Sequence, residues 1–190
     1  MDVHARIPVR EGVIALVVCP PQLVRIITNR LEQVGVEYAV GGSALLYVLG
    51  MPTTVRDWDI TTDCDLGRTL EALSDLPWAQ QESGEYPFAS TYRLHVTAYE
   101  VDVDVIGQFA VWSKRGVCCL PCIPSFAWQG LHMASPEVWM VAYGLMGRSI
   151  KTEFLKEYLA HHEANQKICE HLLRLPLPSD VAVLLEKLLS

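Results

Sequence analysis

Charge is scarce in this 190-residue chain, and positive charge scarcer still. Fifteen lysines and arginines stand against 22 aspartates and glutamates, a formal net charge of −7. A broadly basic surface of the kind that follows a nucleic-acid backbone is thereby excluded, although a local basic groove is not. Long apolar runs are missing too. The longest near the start, Val13–Cys19, falls far short of the roughly 20 residues of a membrane helix. Two arginines precede it, but Pro20-Pro21 follows where an export signal would place small residues, and Val18 stands before Cys19 where a lipid-attachment signal wants a small side chain. The expectation is a cytoplasmic protein with no membrane partner. Six cysteines are too few and too loosely placed for a disulfide scaffold in a chain this large and apolar, so free buried thiols are expected. Cys119-Leu120-Pro121-Cys122 has neither a second CxxC nor a tight histidine pair to complete four zinc ligands, and its prolines deny the helix start of a redox motif. Repeats and low-complexity segments are absent. What remains is 51% hydrophobic and 19% charged, a composition that folds.

The apolar periodicity divides the chain. Residues 22–35 read as a helix with Leu23, Ile26, Ile27, Leu31 and Val34 on one face and Gly35 as its stop. A short strand over 36–40 leads into a tight Gly41-Gly42 turn. Ser43 is then the expected cap of a short helix over 44–49 that Gly50 ends. Alternation and β-branching predict a strand over 57–62, followed by a helix over 66–76. Residues 79–106 read as a β-meander. Its last strand places Glu100, Asp102 and Asp104 on one face and Val101, Val103 and Val105 on the other. Loops or short strands fill 107–134. Ser135-Pro136-Glu137 is a helix start, the run 138–146 is apolar nearly all round, and further helices follow near 150–163, 165–174 and 179–189. The expected class is α+β: a mixed-sheet core over 1–134 with a helical C-terminal subdomain over 135–190.

Chemistry concentrates in AVGGSALLYVLGMPTTVRDWDITTD, residues 39–63. Strand residues two apart project from the same face, roughly 7 Å from each other. Asp57 and Asp59 therefore point together, with Trp58 turned into the core. Parallel carboxylates repel unless a cation lies between them. Oxygen-only ligands suit Mg²⁺, which keeps several waters and shares phosphate oxygens with its substrate, and two such ions can clamp both ends of a phosphoryl displacement. Gly41 and Gly42 let the backbone approach a ligand, and the helix that begins at Ser43 offers free N–H groups to an anion. A third acid would complete the site. Asp104 is favoured because Val105-Ile106-Gly107 reads as the apolar end of a buried strand, and Asp102 stays open as its rival.

These residues resemble the signature of the polymerase-β-type nucleotidyltransferase superfamily. Gly42-Ser43, thirteen residues, then Asp57-Trp58-Asp59-Ile60 is similar to that family's glycine–serine turn, spacer and acid–hydrophobic–acid–hydrophobic strand, and Val101–Gly107 is similar to the strand of the third carboxylate. Kanamycin nucleotidyltransferase-like and AbiEii-toxin-like members also carry a helical tail. The resemblance implies transfer of a nucleoside monophosphate from an NTP such as ATP to an acceptor, with release of pyrophosphate. It implies two Mg²⁺ ions held by Asp57, Asp59 and Asp104, with Asp102 as a further candidate ligand, and a proton taken by Asp104. Gly41, Gly42 and Ser43 would meet the triphosphate, and Lys151 would assist in binding the nucleotide or the acceptor.

The chain departs from the pattern at two points. Arg56 abuts Asp57 and so projects from the opposite strand face, where small members carry an arginine a few residues earlier. Arg148-Ser149-Ile150-Lys151-Thr152 lacks the aspartate of the usual lysine–aspartate pair. Val40-Gly41-Gly42, Leu49-Gly50 and the DxD also echo tRNA-CCA-adding and poly(A) polymerase heads, without the arginine–aspartate pair that follows their glycines. Three readings follow: an enzyme; a regulatory or toxin module that holds NTP on the same fold; and an unrelated acidic domain whose carboxylates bind Ca²⁺ or water. The acceptor is open among a small molecule, a protein side chain and an RNA end, and a homodimer is compatible with all three readings.

Overall fold

The computed structural model describes residues 19–82, 86–99 and 101–190. Most of Val13–Cys19, and Glu100, lie outside them. Helix α1 (Gln22–Gln33) buries Leu23, Val24, Ile27 and Leu31. It ends in a left-handed turn at Gly35 (φ 69°), where Val36 N–H reaches back to the Leu31 carbonyl (2.8 Å). That contact spends Val36 on closing the helix. Strand β1 is therefore only Ala39–Val40, shorter than the expected 36–40.

Helix α2 (Gly42–Val48) begins one residue before Ser43. This corrects the expected cap. Gly41 occupies the cap position with no side chain to offer, and the Ser43 hydroxyl inside the first turn points instead to the Asp57 carbonyl (3.5 Å). Strand β2 (Asp57–Thr62) is as expected. Helix α3 (Leu66–Ala72), capped by Asp65, stops short of residue 76 because a turn closed by the Leu76 N–H to the Leu73 carbonyl (2.9 Å) leads into the next strand. Strands β3 (Trp78–Gln81), β4 (Tyr92–Ala98) and β5 (Val101–Gly107) form the meander. Of the loops or short strands expected over 107–134, the structure shows short strands: a hairpin of β6 (Ala110–Ser113) and β7 (Gly116–Cys119), then a hairpin of β8 (Pro124–Trp128) and β9 (Leu131–Ala134). Four helices complete the chain: α4 (Pro136–Leu145), α5 (Ser149–His161), α6 (Gln166–Leu172) and α7 (Ser179–Leu188).

Among the described residues seven strands make one mixed sheet in the order β3-β4-β5-β2-β1-β9-β8, parallel at β2/β5 and β1/β9 and antiparallel elsewhere. The fold is α+β with a mixed sheet, as expected. Two register facts position the site. Asp57 and Asp59 lie opposite Asp102 and Asp104, and on the other side of β5 Asp104 lies opposite His95. Residues directly opposite share a face, so β2, β5 and β4 present Asp57, Asp59, Asp102, Asp104, His95 and Arg93 on one side of the sheet.

Helix α4 starts as expected, with Ser135 Oγ accepting from Val138 N–H (3.3 Å) and Pro136 in its first turn. Glu137 is buried and fully partnered: its carboxylate accepts the Ser135 hydroxyl (2.5 Å) and the Asn165 N–H at the start of α6 (2.7 Å). Val138 to Tyr143 are all buried. One continuous apolar cluster joins sheet residues such as Ile60, Val103 and Val105 to Leu155, Leu172, Val181 and Leu185 of the C-terminal helices. Among the described residues no helix is long and apolar enough to cross a membrane. All six cysteines are free.

Candidate active site

Strand alternation sets the site's floor. Trp58 is 3% exposed beneath the sheet, and Ile60 is fully buried beside it. This anchors β2 so that Asp57 and Asp59 face away from the core, Asp57 exposed and Asp59 half-buried. The glycine pair locks α2 against them. Gly41 donates its N–H to the Asp59 carbonyl (2.9 Å). A Cβ on Gly41 would lie 2.0 Å from Trp139 Cε2 of α4, so only glycine lets the backbone pass beneath that indole. Gly42 adopts φ 61° and meets the Asp59 carboxylate directly. The start of α2 and the second acid of the DxD are thus one packed unit, and Ser43 is buried within it.

Asp104 lies on β5 next to Asp59, its side chain 5% exposed. Both of its oxygens are taken: Arg93 Nη2 stands 2.5 Å from Oδ2, and His95 Nδ1 2.9 Å from Oδ1. Asp102 sits nearer the surface, 55% exposed, where it accepts the Thr97 hydroxyl (2.9 Å) and lies 3.4 Å from His95 Nε2. Burial therefore separates the two rivals for third acid, Asp104 inside and Asp102 at the rim.

The carboxylates act on one another. Burial first, then the charges of Asp57 and Asp104, push Asp59 up to about 7 from its ordinary 3.8, against the opposing pull of Arg93 and Arg148. Lys151 is lowered, chiefly by burial and next by Arg148, while Asp59 and Asp57 oppose the shift. Lys151 and Arg148 flank one aromatic ring: Lys151 Nζ is 5.0 Å and Arg148 Cζ 5.8 Å from the centre of Tyr143. Tyr143 is wholly buried, and among the described residues its hydroxyl has no hydrogen-bond partner.

A cavity of about 330 Å³ opens over the two aspartates, with Arg93 and Arg148 on its sides and Phe109 and Trp139 as a stacked wall (ring centres 5.5 Å apart). Lys151 lines a shallow groove that adjoins this cavity through Arg148. The structure thus places Asp57 and Asp59 in the cavity wall, Gly41, Gly42 and Ser43 packed behind Asp59, Asp104 on the neighbouring strand under Arg93, and Lys151 three residues after Arg148 in the adjoining groove. Arg56 is exposed, outside this arrangement.

Among the described residues no group of three or more His, Cys, Asp or Glu side chains stands ready to hold a metal ion. The donor set nevertheless suits one. Asp57 and Asp59 are acceptor-only, adjacent and under-neutralised, which is what a hard divalent cation relieves. Asp104 could join them only by exchanging Arg93 for the ion.

Arg93 and His95 were not singled out in the sequence. Their signal was there: Tyr92–Ala98 alternates, with Tyr92, Leu94 and Val96 buried and Arg93, His95 and Thr97 on the opposite, acid-bearing face. Trp139 and Tyr143 hid inside a helix whose apolar surround reads simply as core.

No family model and no curated protein matches the chain. Solved structures do match. A protein from Thermotoga maritima described as a nucleotidyltransferase aligns with a TM-score of 0.54 at 23% identity, over 73% of this chain and 91% of its own. ANT(2″)-Ia, solved in complex with adenylyl-2″-tobramycin, aligns with a TM-score of 0.50 at 14% identity, over 87% of this chain and 94% of its own. The mixed sheet, with its glycine-led helix packed on an Asp-x-Asp strand, is a fold that the chain shares with these two solved structures.

Proposed function

We propose that the chain is a Mg²⁺-dependent nucleotidyltransferase that moves a nucleoside monophosphate from an NTP to an acceptor hydroxyl. The observation that carries this reading is the seating of the Asp57/Asp59 pair against the start of α2, inside a cavity flanked by Arg148. Asp57 and Asp59 would hold the metal, which when bound neutralises the triphosphate and polarises its α-phosphate. The first turn of α2 would offer the backbone N–H groups of Gly42 and Ser43 to the terminal phosphates, while that of Gly41 is held by the Asp59 carbonyl. Arg148 and Lys151 add positive charge as pyrophosphate departs. The acceptor oxygen attacks the α-phosphorus, the bond from that phosphorus to the bridging oxygen breaks, and Asp104 accepts the acceptor's proton.

The ANT(2″)-Ia complex carries an adenylylated small molecule. That likeness supports a small-molecule hydroxyl as the acceptor class and ATP as one donor. A second reading, NTP binding without turnover, is favoured by one observation: both oxygens of Asp104 are engaged by Arg93 and His95.

Thermal shifts with the four NTPs, with and without Mg²⁺, test binding. A Mg²⁺-dependent rise that Asp57→Ala and Asp59→Ala abolish while remaining folded supports a nucleotide site, and no rise with any NTP overturns it. Pyrophosphate release on adding candidate acceptors separates the enzyme from the binding module.

A further inference from the structure

We infer that Arg93 is a positioning residue that exchanges partners, pairing with Asp104 in the arrangement described above and with a phosphate oxygen of a bound nucleoside triphosphate in the arrangement that turns over. The inference rests on the reading of the site as a nucleotidyltransferase centre and names how its third acid is released.

Three observations carry it. First, a carboxylate as enclosed as Asp104 needs a cation, and Arg93 supplies one at Oδ2 (2.5 Å). A divalent ion held in part by Asp104 would need that same oxygen, so guanidinium and metal would compete for it. Second, the other oxygen of Asp104 is held independently by His95 (2.9 Å). Release of Arg93 therefore frees one oxygen and leaves the carboxylate aimed. Third, Arg93 has both a route and a reason to move. Its side chain keeps 38% exposure and lines the cavity with Asp57, Asp59 and Arg148. Its Nε is buried with no hydrogen-bond partner among the described residues, so the pairing with Asp104 leaves one arm of the fork unused there. A phosphate can take Nε and Nη2 together, the bidentate geometry that guanidinium favours over a single-point contact.

Metal affinity measured without nucleotide tests the exchange. Mn²⁺ alone is titrated by electron paramagnetic resonance into the wild type, Arg93→Met, Arg93→Lys and Arg93→Met/Asp104→Asn, with NTP affinity measured separately. Removing the guanidinium should tighten Mn²⁺ binding about tenfold and weaken NTP binding about tenfold, within the ordinary range for coupled sites. Asp104→Asn should cancel the gain in Mn²⁺ affinity. If Arg93→Met does not fold, Arg93→Lys decides, with the same opposed shifts at smaller size. Mn²⁺ affinity unchanged or weaker in the folded arginine variants overturns the exchange, while the nucleotide site itself stands provided Asp57→Ala still abolishes Mn²⁺ and NTP binding. Binding of both that is indifferent to Asp57→Ala overturns the site reading, and the exchange with it.

Discussion

Gly42 and Asp59 leave no room for a methyl group between them: a Cβ on Gly42 would stand 2.0 Å from Asp59 Oδ2, at a backbone φ of 61°. Gly42→Ala therefore carries two penalties. The left-handed backbone costs an L-residue about 1–2 kcal/mol, and the carboxylate must swing aside. The expected outcome is a modest drop in melting temperature with a loss of roughly 100-fold in transfer rate, the usual consequence of displacing a reacting group by about 1 Å. Scanning calorimetry and pyrophosphate release read the two effects separately.

Asp59 makes metal-free stability depend on pH, in the direction opposite to most carboxylates. Its folded value, raised to about 7 by burial and by Asp57 and Asp104, lies above the ordinary 3.8. The folded chain thus binds this proton more tightly than the unfolded chain does. The contribution to stability is complete below the unfolded value and is lost as pH rises through about 7. Urea midpoints in EDTA should fall between pH 5 and 7.5 in the wild type and fall less in Asp59→Asn. Saturating Mg²⁺ should restore the wild type at the upper end, because the ion replaces the proton.

Asp104 and Asp102 can be told apart kinetically. Asp104 is enclosed beside Asp59, whereas Asp102 is mostly exposed at the rim. Asp104→Asn should reduce transfer by roughly 1,000-fold, in the range for loss of a proton acceptor, and leave NTP binding largely intact. Asp102→Asn should stay within about tenfold of wild type, the size of a lost rim hydrogen bond. The reverse ranking in single-turnover assays would reassign the third acid.

Arg148 and Lys151 share the Tyr143 ring and the field of the aspartates. Each alanine substitution should weaken NTP binding by about tenfold or more, from the loss of one charge-assisted contact. The effect should shrink for AMP, which lacks the terminal phosphates. Calorimetric titration with ATP and AMP makes the comparison.

The parts of this fold that local pattern controls were readable. The alternation of Asp57–Thr62 and Val101–Gly107 gave both acid-bearing strands, and Ser135-Pro136 gave the start of α4. Pattern fails where a contact made elsewhere decides. Val36 leaves the strand because the end of α1 takes its N–H, and Gly41 replaces Ser43 as cap because Asp59 and Trp139 pin the backbone there. The four short strands of 107–134 carry too few residues each to show a period; they pair locally as two hairpins, and β9 is then fixed beside the distant β1. Arg93 meets Asp104 across the β4/β5 register, a relation that no single stretch of sequence displays.

Trp139 lies over Gly41 and stacks on Phe109, so one wall of the cavity belongs to a helix that follows the sheet in the chain. A fragment ending before Pro136 would hold every candidate carboxylate and still leave the glycine bend uncovered. Dissecting this protein into an acid-bearing half and a helical half would accordingly yield two inert pieces, and grafting the helices of a relative onto this sheet would have to reproduce that single indole first.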